Sequence, residues 1–222
     1  MTPRELIGQA VLADGGTLRL IRRGADHVIM LGPVELMSSR LGGSEEALAT
    51  LACARLSDPS RARLLIGGLG MGFTLRAALA ALPATARIDV AEIVPEVIDW
   101  ARGPLAGLFA GSLDDPRVTM IAGDVATPIA AAPARYDGIL LDVDNGPDGL
   151  TLPANDALYG AGGLARAARA LAPGGILAIW SSAPDAAFTR RLGQAGFRVE
   201  EIVVRGLRGR GGRHVIWLGT RP

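Results

Sequence analysis

Two carboxylates and a cluster of glycines carry the first chemistry legible in this 222-residue chain. The run Arg63-Leu64-Leu65-Ile66-Gly67-Gly68-Leu69-Gly70-Met71-Gly72 takes an apolar stretch of strand length into four glycines. It leaves them as Phe73-Thr74-Leu75-Arg76-Ala77-Ala78-Leu79-Ala80-Ala81-Leu82, a helix-forming segment. Glycines let the backbone approach a ligand closely, and the first-turn N–H groups of the following helix point at it, so the corner suits a nucleotide. A dinucleotide fingerprint, G-x-G-x-x-G, is absent: counted from Gly68 its last position is Phe73, and counted from Gly70 it is Leu75. The spacing is G-x-G-x-G at Gly68, Gly70 and Gly72. Twenty positions beyond Gly72, Glu92 closes the next apolar run, where a carboxylate can accept two hydrogen bonds from ribose hydroxyls. Asp124, after the third run, can accept from an exocyclic adenine amine. Together they describe an adenosine site with no demand for pyrophosphate.

The elements that must position these residues alternate. Strands are predicted over Ile88 to Glu92, Val118 to Ile121, Tyr136 to Asp142 and Ile176 to Trp180, with a closing pair over Phe197 to Val204 and His214 to Gly219. Between them fall helices from Pro95 to Arg102, over an Ala-rich stretch ending near Pro133, from Gly163 to Leu171 ahead of Pro173-Gly174-Gly175, and from Asp185 to Ala195. Repeated β-α units imply an α/β fold, a parallel sheet with helices on both faces. Residues 1–40 differ. Short apolar runs broken by Asp14-Gly15-Gly16, Gly24-Ala25-Asp26 and Gly32-Pro33 read as a small β-meander, separated from a domain over 41–222 by Leu41-Gly42-Gly43. Ser44 is expected to cap the helix that follows, with Glu45 and Glu46 in its first turn and its end near Leu56.

Composition narrows the function. All 23 basic residues are Arg, so a Walker-A lysine, a Schiff-base lysine and a lysine general base are excluded. A net charge of +1 provides no electrostatic reason for a nucleic-acid or membrane partner. The Gly/Arg run from Arg205 to Arg213 reads as a solvated hairpin loop. A single cysteine, Cys53, fits a reducing compartment. With no signal peptide or membrane-length apolar run, the expected location is cytoplasmic. His27 and His214 show no ligand spacing, and no metal is expected.

On Ile66 to Gly72, Val90 to Val97, Asp115-Pro116-Arg117-Val118, Gly123-Asp124, Tyr136 to Asp142 and Leu171 to Leu177, the chain resembles the class I S-adenosylmethionine-dependent methyltransferases. Within them it is most similar to the spermidine synthase branch. The resemblance covers nearly the whole chain and implies a Rossmann-like sheet of seven strands, the last pair antiparallel, behind the N-terminal meander. By the same likeness Gly67, Gly68, Gly70 and Gly72 would hold the methionine moiety, Glu92 the ribose and Asp124 the adenine. Ile93, Val125 and Asp142 complete the implied cofactor set, and a homodimer is implied as well.

The chain also departs from that branch. Spermidine synthases carry Gly-Gly-Gly-Asp-Gly-Gly at the first turn, and the Asp position here is Gly70. A carboxylate there would repel the carboxylate of intact S-adenosylmethionine, and its loss relieves that repulsion. The branch's Asp-Ser-Ser-Asp-Pro reads Asp142-Val143-Asp144-Asn145-Gly146-Pro147, and its Tyr-His-Glu reads Ser44-Glu45-Glu46. The expectation is therefore methyl transfer from S-adenosylmethionine to a small-molecule acceptor. The alternative is aminopropyl transfer from decarboxylated S-adenosylmethionine to a polyamine, and a third is a nucleoside-binding protein without turnover. In-line displacement at a sulfonium requires alignment and, for an amine, removal of a proton. Asp142, where the fourth strand ends, is expected to orient or deprotonate the acceptor, with Asp144 and Asn145 as hydrogen-bond partners. Turn chemistry explains Asp144 equally well. Glu46, with Glu45 beside it, either closes the pocket or merely favours the helix terminus. Tyr159 and Trp180 either line the acceptor pocket or pack the core.

Overall fold

The computed structural model describes residues 3–13, 15–131, 133–143, 158–207 and 210–222. Its centre is β5 (Arg63–Gly67), in which Leu64, Leu65 and Ile66 are all fully buried. A strand so apolar on both sides needs cover on both faces, as in a parallel sheet. Around it run β6 (Arg87–Glu92), β7 (Val118–Ala122), β8 (Tyr136–Leu141), β9 (Leu171–Ser181), β10 (Arg198–Leu207) and β11 (Arg210–Thr220). They form one seven-stranded sheet in the order β10-β11-β9-β8-β5-β6-β7. All described neighbours pair in parallel except β11, which runs antiparallel to both β9 and β10.

Alternate residues of β5 choose opposite faces. Leu64 and Ile66 pack with α1 (Gly43–Cys53), α2 (Phe73–Ala81) and α3 (Pro95–Arg102), through Leu48, Ala52, Leu75, Ala78, Val97 and Trp100. Beyond α3 the chain makes a short α4 (Ala106–Phe109). Leu65 faces the second layer, α5 (Ala126–Ala131), α6 (Ala161–Ala170) and α7 (Ala186–Gln194), through Ile129, Leu164, Ala167, Phe188 and Leu192. Helices therefore cover both faces.

The N-terminal segment is an antiparallel sheet of β1 (Arg4–Val11), β2 (Thr17–Arg23), β3 (Asp26–Leu31) and β4 (Val34–Ser38), in that order. Ala10, Leu12, Leu18, Leu20 and Ile29 join the core built on Leu64 and Ile66. The meander shares its apolar interior with the larger sheet.

Three local expectations are corrected. The cap of α1 is Gly42, not Ser44: Ser44 lies inside the first turn, and its hydroxyl donates to Glu45 Oε2 at 2.6 Å. Helix α1 stops at Cys53 rather than Leu56. Pro173-Gly174-Gly175 does not separate a helix from a strand, because β9 begins at Leu171. Tyr136 pairs with Leu171 and Gly138 with Ile176, so the Pro-Gly-Gly stretch bulges within the strand. The Gly174 N–H donates to the Arg221 carbonyl, and the Arg221 N–H donates to that of Gly175. No described helix is long and apolar enough to cross a membrane.

Candidate active site

The strand order reverses between β5 and β8, the position at which open α/β sheets hold ligands beyond their carboxyl ends. Gly67 pairs with Leu141, and the Asp142 N–H donates to the Gly67 carbonyl at 2.9 Å. The glycine turn and Asp142 therefore leave the sheet side by side. Gly68 has φ +87°, and a Cβ there would stand 2.3 Å from the Asp142 carbonyl oxygen. Only glycine permits that approach.

A cavity of about 170 Å³ opens at this reversal. A single water needs roughly 10–15 Å³, so the space is of ligand size. Its floor is Gly68 to Met71, one side is Glu92, Ile93, Gly123, Asp124 and Val125, and its far end is Glu45, Asp142, Val143 and Trp180. The meander adds Leu12, Leu18, Ile29, Leu36 and Met37, and Phe73, Ala91, Val94 and Val97 complete the lining.

Glu92 is buried, with Oε2 accepting from the Leu69 N–H and Oε1 from the Val94 N–H, each at 2.9 Å. Burial pushes its carboxyl above the usual range, opposed by the backbone N–H groups of Leu69, Val94, Gly70 and Ile93. Each carboxylate oxygen has a second lone pair, so Glu92 can brace the glycine turn and still accept from two ribose hydroxyls. Asp124 accepts from the Ala126 N–H through Oδ1 at 2.8 Å, which leaves Oδ2 able to accept from a ligand. Ile93 is 47% exposed and lines the same side. An adenosine ligand fits this donor and acceptor set.

The far end is acidic. Asp142 Oδ2 accepts from the buried Thr74 hydroxyl at 2.5 Å, and Thr74 lies 3.4 Å from the Glu45 carbonyl. Its carboxyl is pushed up to about 7, first by burial and second by the charge of Glu45, with the Thr74 hydrogen bond opposing. A carboxylate near 7 suits a base working at neutral pH. Trp180 stacks on His214, ring centroids 5.0 Å apart at 28°. Burial holds His214 below its usual range, with Glu45 opposing. Trp180 Nε1 and His214 Nδ1 are buried with no hydrogen-bond partner among the described residues.

The fold thus gathers Gly68, Gly70, Glu92, Ile93, Asp124, Val125, Asp142 and Trp180 around one cavity. Others fall elsewhere. Gly67 and Gly72 lie off its lining. A Cβ on Gly67 would meet Val125 at 2.9 Å, and one on Gly72 would meet the Phe109 ring at 2.4 Å, so both are packing glycines. Glu46 is not in the lining; the residue before it, Glu45, is. Tyr159 is buried on the opposite face of the sheet, edge-on to Phe188, with its hydroxyl 3.4 Å from the Val143 carbonyl. It backs the strand end and does not line the cavity. Asp144 and Asn145 lie outside the described residues, as do residues 208 and 209 of the Gly/Arg run, whose other residues, expected in a loop, are paired strand in β10 and β11. No group of three or more His, Cys, Asp or Glu side chains among the described residues is arranged to hold a metal.

Sequence reasoning missed Thr74, Phe73 and the apolar wall. Gly70 also reads differently in three dimensions. It has φ +49°, and its Cβ position stands 3.3 Å from Met37 Sδ. A thioether of the meander borders this position.

A family model of the spermine/spermidine synthase domain matches residues 43–187. A polyamine aminopropyltransferase of Mycobacterium tuberculosis (strain ATCC 25618 / H37Rv) is 36% identical over 138 residues, 61% of this chain and 25% of that protein. Putrescine N-methyltransferase 2 of Nicotiana tabacum is 39% identical over 122 residues, 54% of this chain and 33% of that protein. The chain spans about a quarter to a third of the length of these curated relatives. A spermidine synthase structure from Thermotoga maritima superimposes with a TM-score of 0.78 over 98% of this chain and 73% of that one, at 19% identity, a likeness of fold.

Proposed function

This chain belongs to the spermine/spermidine synthase family, and on that premise we propose that it is a transferase that alkylates a polyamine-type amine, moving an aminopropyl group from decarboxylated S-adenosylmethionine. The relatives support this reading above methyl transfer to an unspecified small molecule, the first expectation from the sequence. The observation that carries it is the pair of carboxylates, Glu45 and Asp142, lining the same cavity as Glu92 and Asp124. Two acids beside apolar walls suit an acceptor that is cationic at one nitrogen and reactive at another.

The donor's sulfonium supplies an activated carbon. Glu92 and Asp124 hold the nucleoside end, and the apolar meander wall excludes water from the opposite side. Glu45 neutralises the acceptor's cationic nitrogen. Asp142, whose carboxyl titrates near neutrality, takes the proton that the attacking nitrogen must lose. Alignment of nitrogen and carbon by these fixed groups supplies much of the acceleration.

A second reading, methyl transfer from intact S-adenosylmethionine to the same class of amine, is favoured by Gly70. No carboxylate stands there to repel the donor's own, and Met37 borders the space. Incubating the purified protein with each donor and a panel of diamines, followed by mass spectrometry, separates the two. An aminopropylated amine supports the first reading and an N-methylated amine the second. Turnover of neither donor with any amine refutes both. A homodimer, implied by the resemblance, is checked by sedimentation of the same preparation.

A further inference from the structure

Each carboxylate at the far end of the cavity is held by one buried hydroxyl from the first turn of a helix. Ser44, 2% exposed, donates to Glu45 Oε2 at 2.6 Å. Thr74, 3% exposed, donates to Asp142 Oδ2 at 2.5 Å. Thr74 does not line the cavity, whereas Asp142 does. No described group donates to Asp142 Oδ1.

We propose that Thr74 is a positioning residue that engages Oδ2 of Asp142 and so leaves Oδ1 as the single oxygen offered to the acceptor's proton. The geometry makes this a matter of counting. A threonine hydroxyl has one proton, with Asp142 Oδ2 at 2.5 Å and the Glu45 carbonyl at 3.4 Å as its two acceptors. The shorter contact, to a charged group, takes it. The backbone of Asp142 is fixed from the other side by its N–H bond to Gly67, so neither end of the residue swings freely. The proposal rests on the amine-alkylation reading. There the attacking nitrogen forms a bond to the carbon next to sulfur, the carbon–sulfur bond breaks, and its electron pair stays on sulfur. The proton leaving nitrogen goes to Oδ1.

The groups that set Asp142's affinity for a proton come from several elements. Glu45 on α1 acts on it through charge, Thr74 on α2 through a hydrogen bond, and burial through loss of water. His214 on β11 lies within reach of Glu45's charge. Removing the Thr74 hydroxyl withdraws a hydrogen bond from the charged form, so the carboxyl must bind its proton more tightly.

The test is ¹³C NMR titration of aspartate-labelled protein, with Asp142 assigned by loss of its signal in Asp142→Asn. In Thr74→Val the Asp142 midpoint should rise by about one pH unit, the effect of one hydrogen bond to a charged acceptor. The acid limb of kcat should rise with it, with donor KM unchanged. Thr74→Ser should restore both. An unchanged midpoint in Thr74→Val overturns the proposal, as does a Thr74→Ser protein that titrates like the valine variant. Should the valine variant not fold, Thr74→Ala carries the same expectation. If wild-type protein turns over no amine while the midpoint moves as stated, the proposed reaction fails and the Thr74–Asp142 coupling stands.

Discussion

Replacing Gly68 with alanine tests the closeness of the two strand ends on which the site depends. Two costs arise. The backbone of Gly68 has φ +87°, and an L-residue forced there loses about 1 kcal/mol relative to glycine. The new methyl would also stand 2.3 Å from the Asp142 carbonyl oxygen and 3.1 Å from its carbonyl carbon. Ordinary contact begins near 3.4 Å, so β5 and β8 must part by about 1 Å at their ends. They are tied there by the Asp142-to-Gly67 hydrogen bond. Gly111→Ala is the matched control: φ is +80°, yet nothing lies within 4 Å of its Cβ position. We expect Gly111→Ala to cost about 1 kcal/mol in urea unfolding and Gly68→Ala about 3–4 kcal/mol, the excess being the clash. Turnover in Gly68→Ala should fall about 100-fold, the usual consequence of moving a catalytic group by 1 Å. A Gly68→Ala protein as stable and as active as Gly111→Ala would refute the placement of Asp142 against the glycine turn.

Other expectations concern charge. Glu45→Gln removes the second cause of Asp142's raised carboxyl, so the acid limb of the pH–rate profile should move to lower pH while burial keeps it above an ordinary aspartate; a limb that stays put would separate the two residues. Because Asp142 binds its proton more tightly when folded, its stabilising contribution is complete below about pH 4 and lost as pH rises through about 7. Asp142→Asn, neutral throughout, should gain on wild type by about 1–3 kcal/mol between pH 5 and pH 8 in urea titrations, allowing for partial exposure. Glu92→Gln leaves the N–H of either Leu69 or Val94 facing an amide donor. Calorimetry should then show donor binding weakened at least about tenfold, and a change under about twofold would remove Glu92 from the nucleoside site.

How far these features could be read from the chain depended on whether local chemistry or packing decided them. Glu92 and Asp124 could be placed beside the cavity because Glu92 ends one apolar run and Asp124 follows the next at the sheet's carboxyl edge, where topology leaves a side chain few places to go. Pro95 opened α3 where helix chemistry places it. Glu45 and Glu46, by contrast, are adjacent acids in one helical turn. Which one faces the cavity depends on the roll of α1 against the sheet, and spacing carries no record of that. Ser44 had the chemistry of a cap but donates to Glu45 instead. Pro173-Gly174-Gly175 had the composition of a loop, and its bonds to Arg221, with the pairing of β9 and β8 on either side, keep it in the strand. Thr74 is one hydroxyl in an Ala/Leu helix, and Met37 one apolar residue in a meander. Both matter only through partners distant in sequence, Asp142 and Gly70.

The meander's wall has a consequence for how the protein would report on its own occupancy. Leu12, Leu18 and Ile29 face the cavity and also belong to the core shared with Leu64 and Ile66. A bound molecule therefore acts as mortar between the two sheets. Ligand at a hundredfold excess over Kd adds about 2.7 kcal/mol to the folded state, and part of that is delivered to a four-stranded sheet with one apolar face to hold it down. Amide protons of β2 and β3 should exchange more slowly as the cavity fills, while those of β10, at the far edge, keep their pace. The N-terminal sheet is in this sense a gauge, tightest when the site is full.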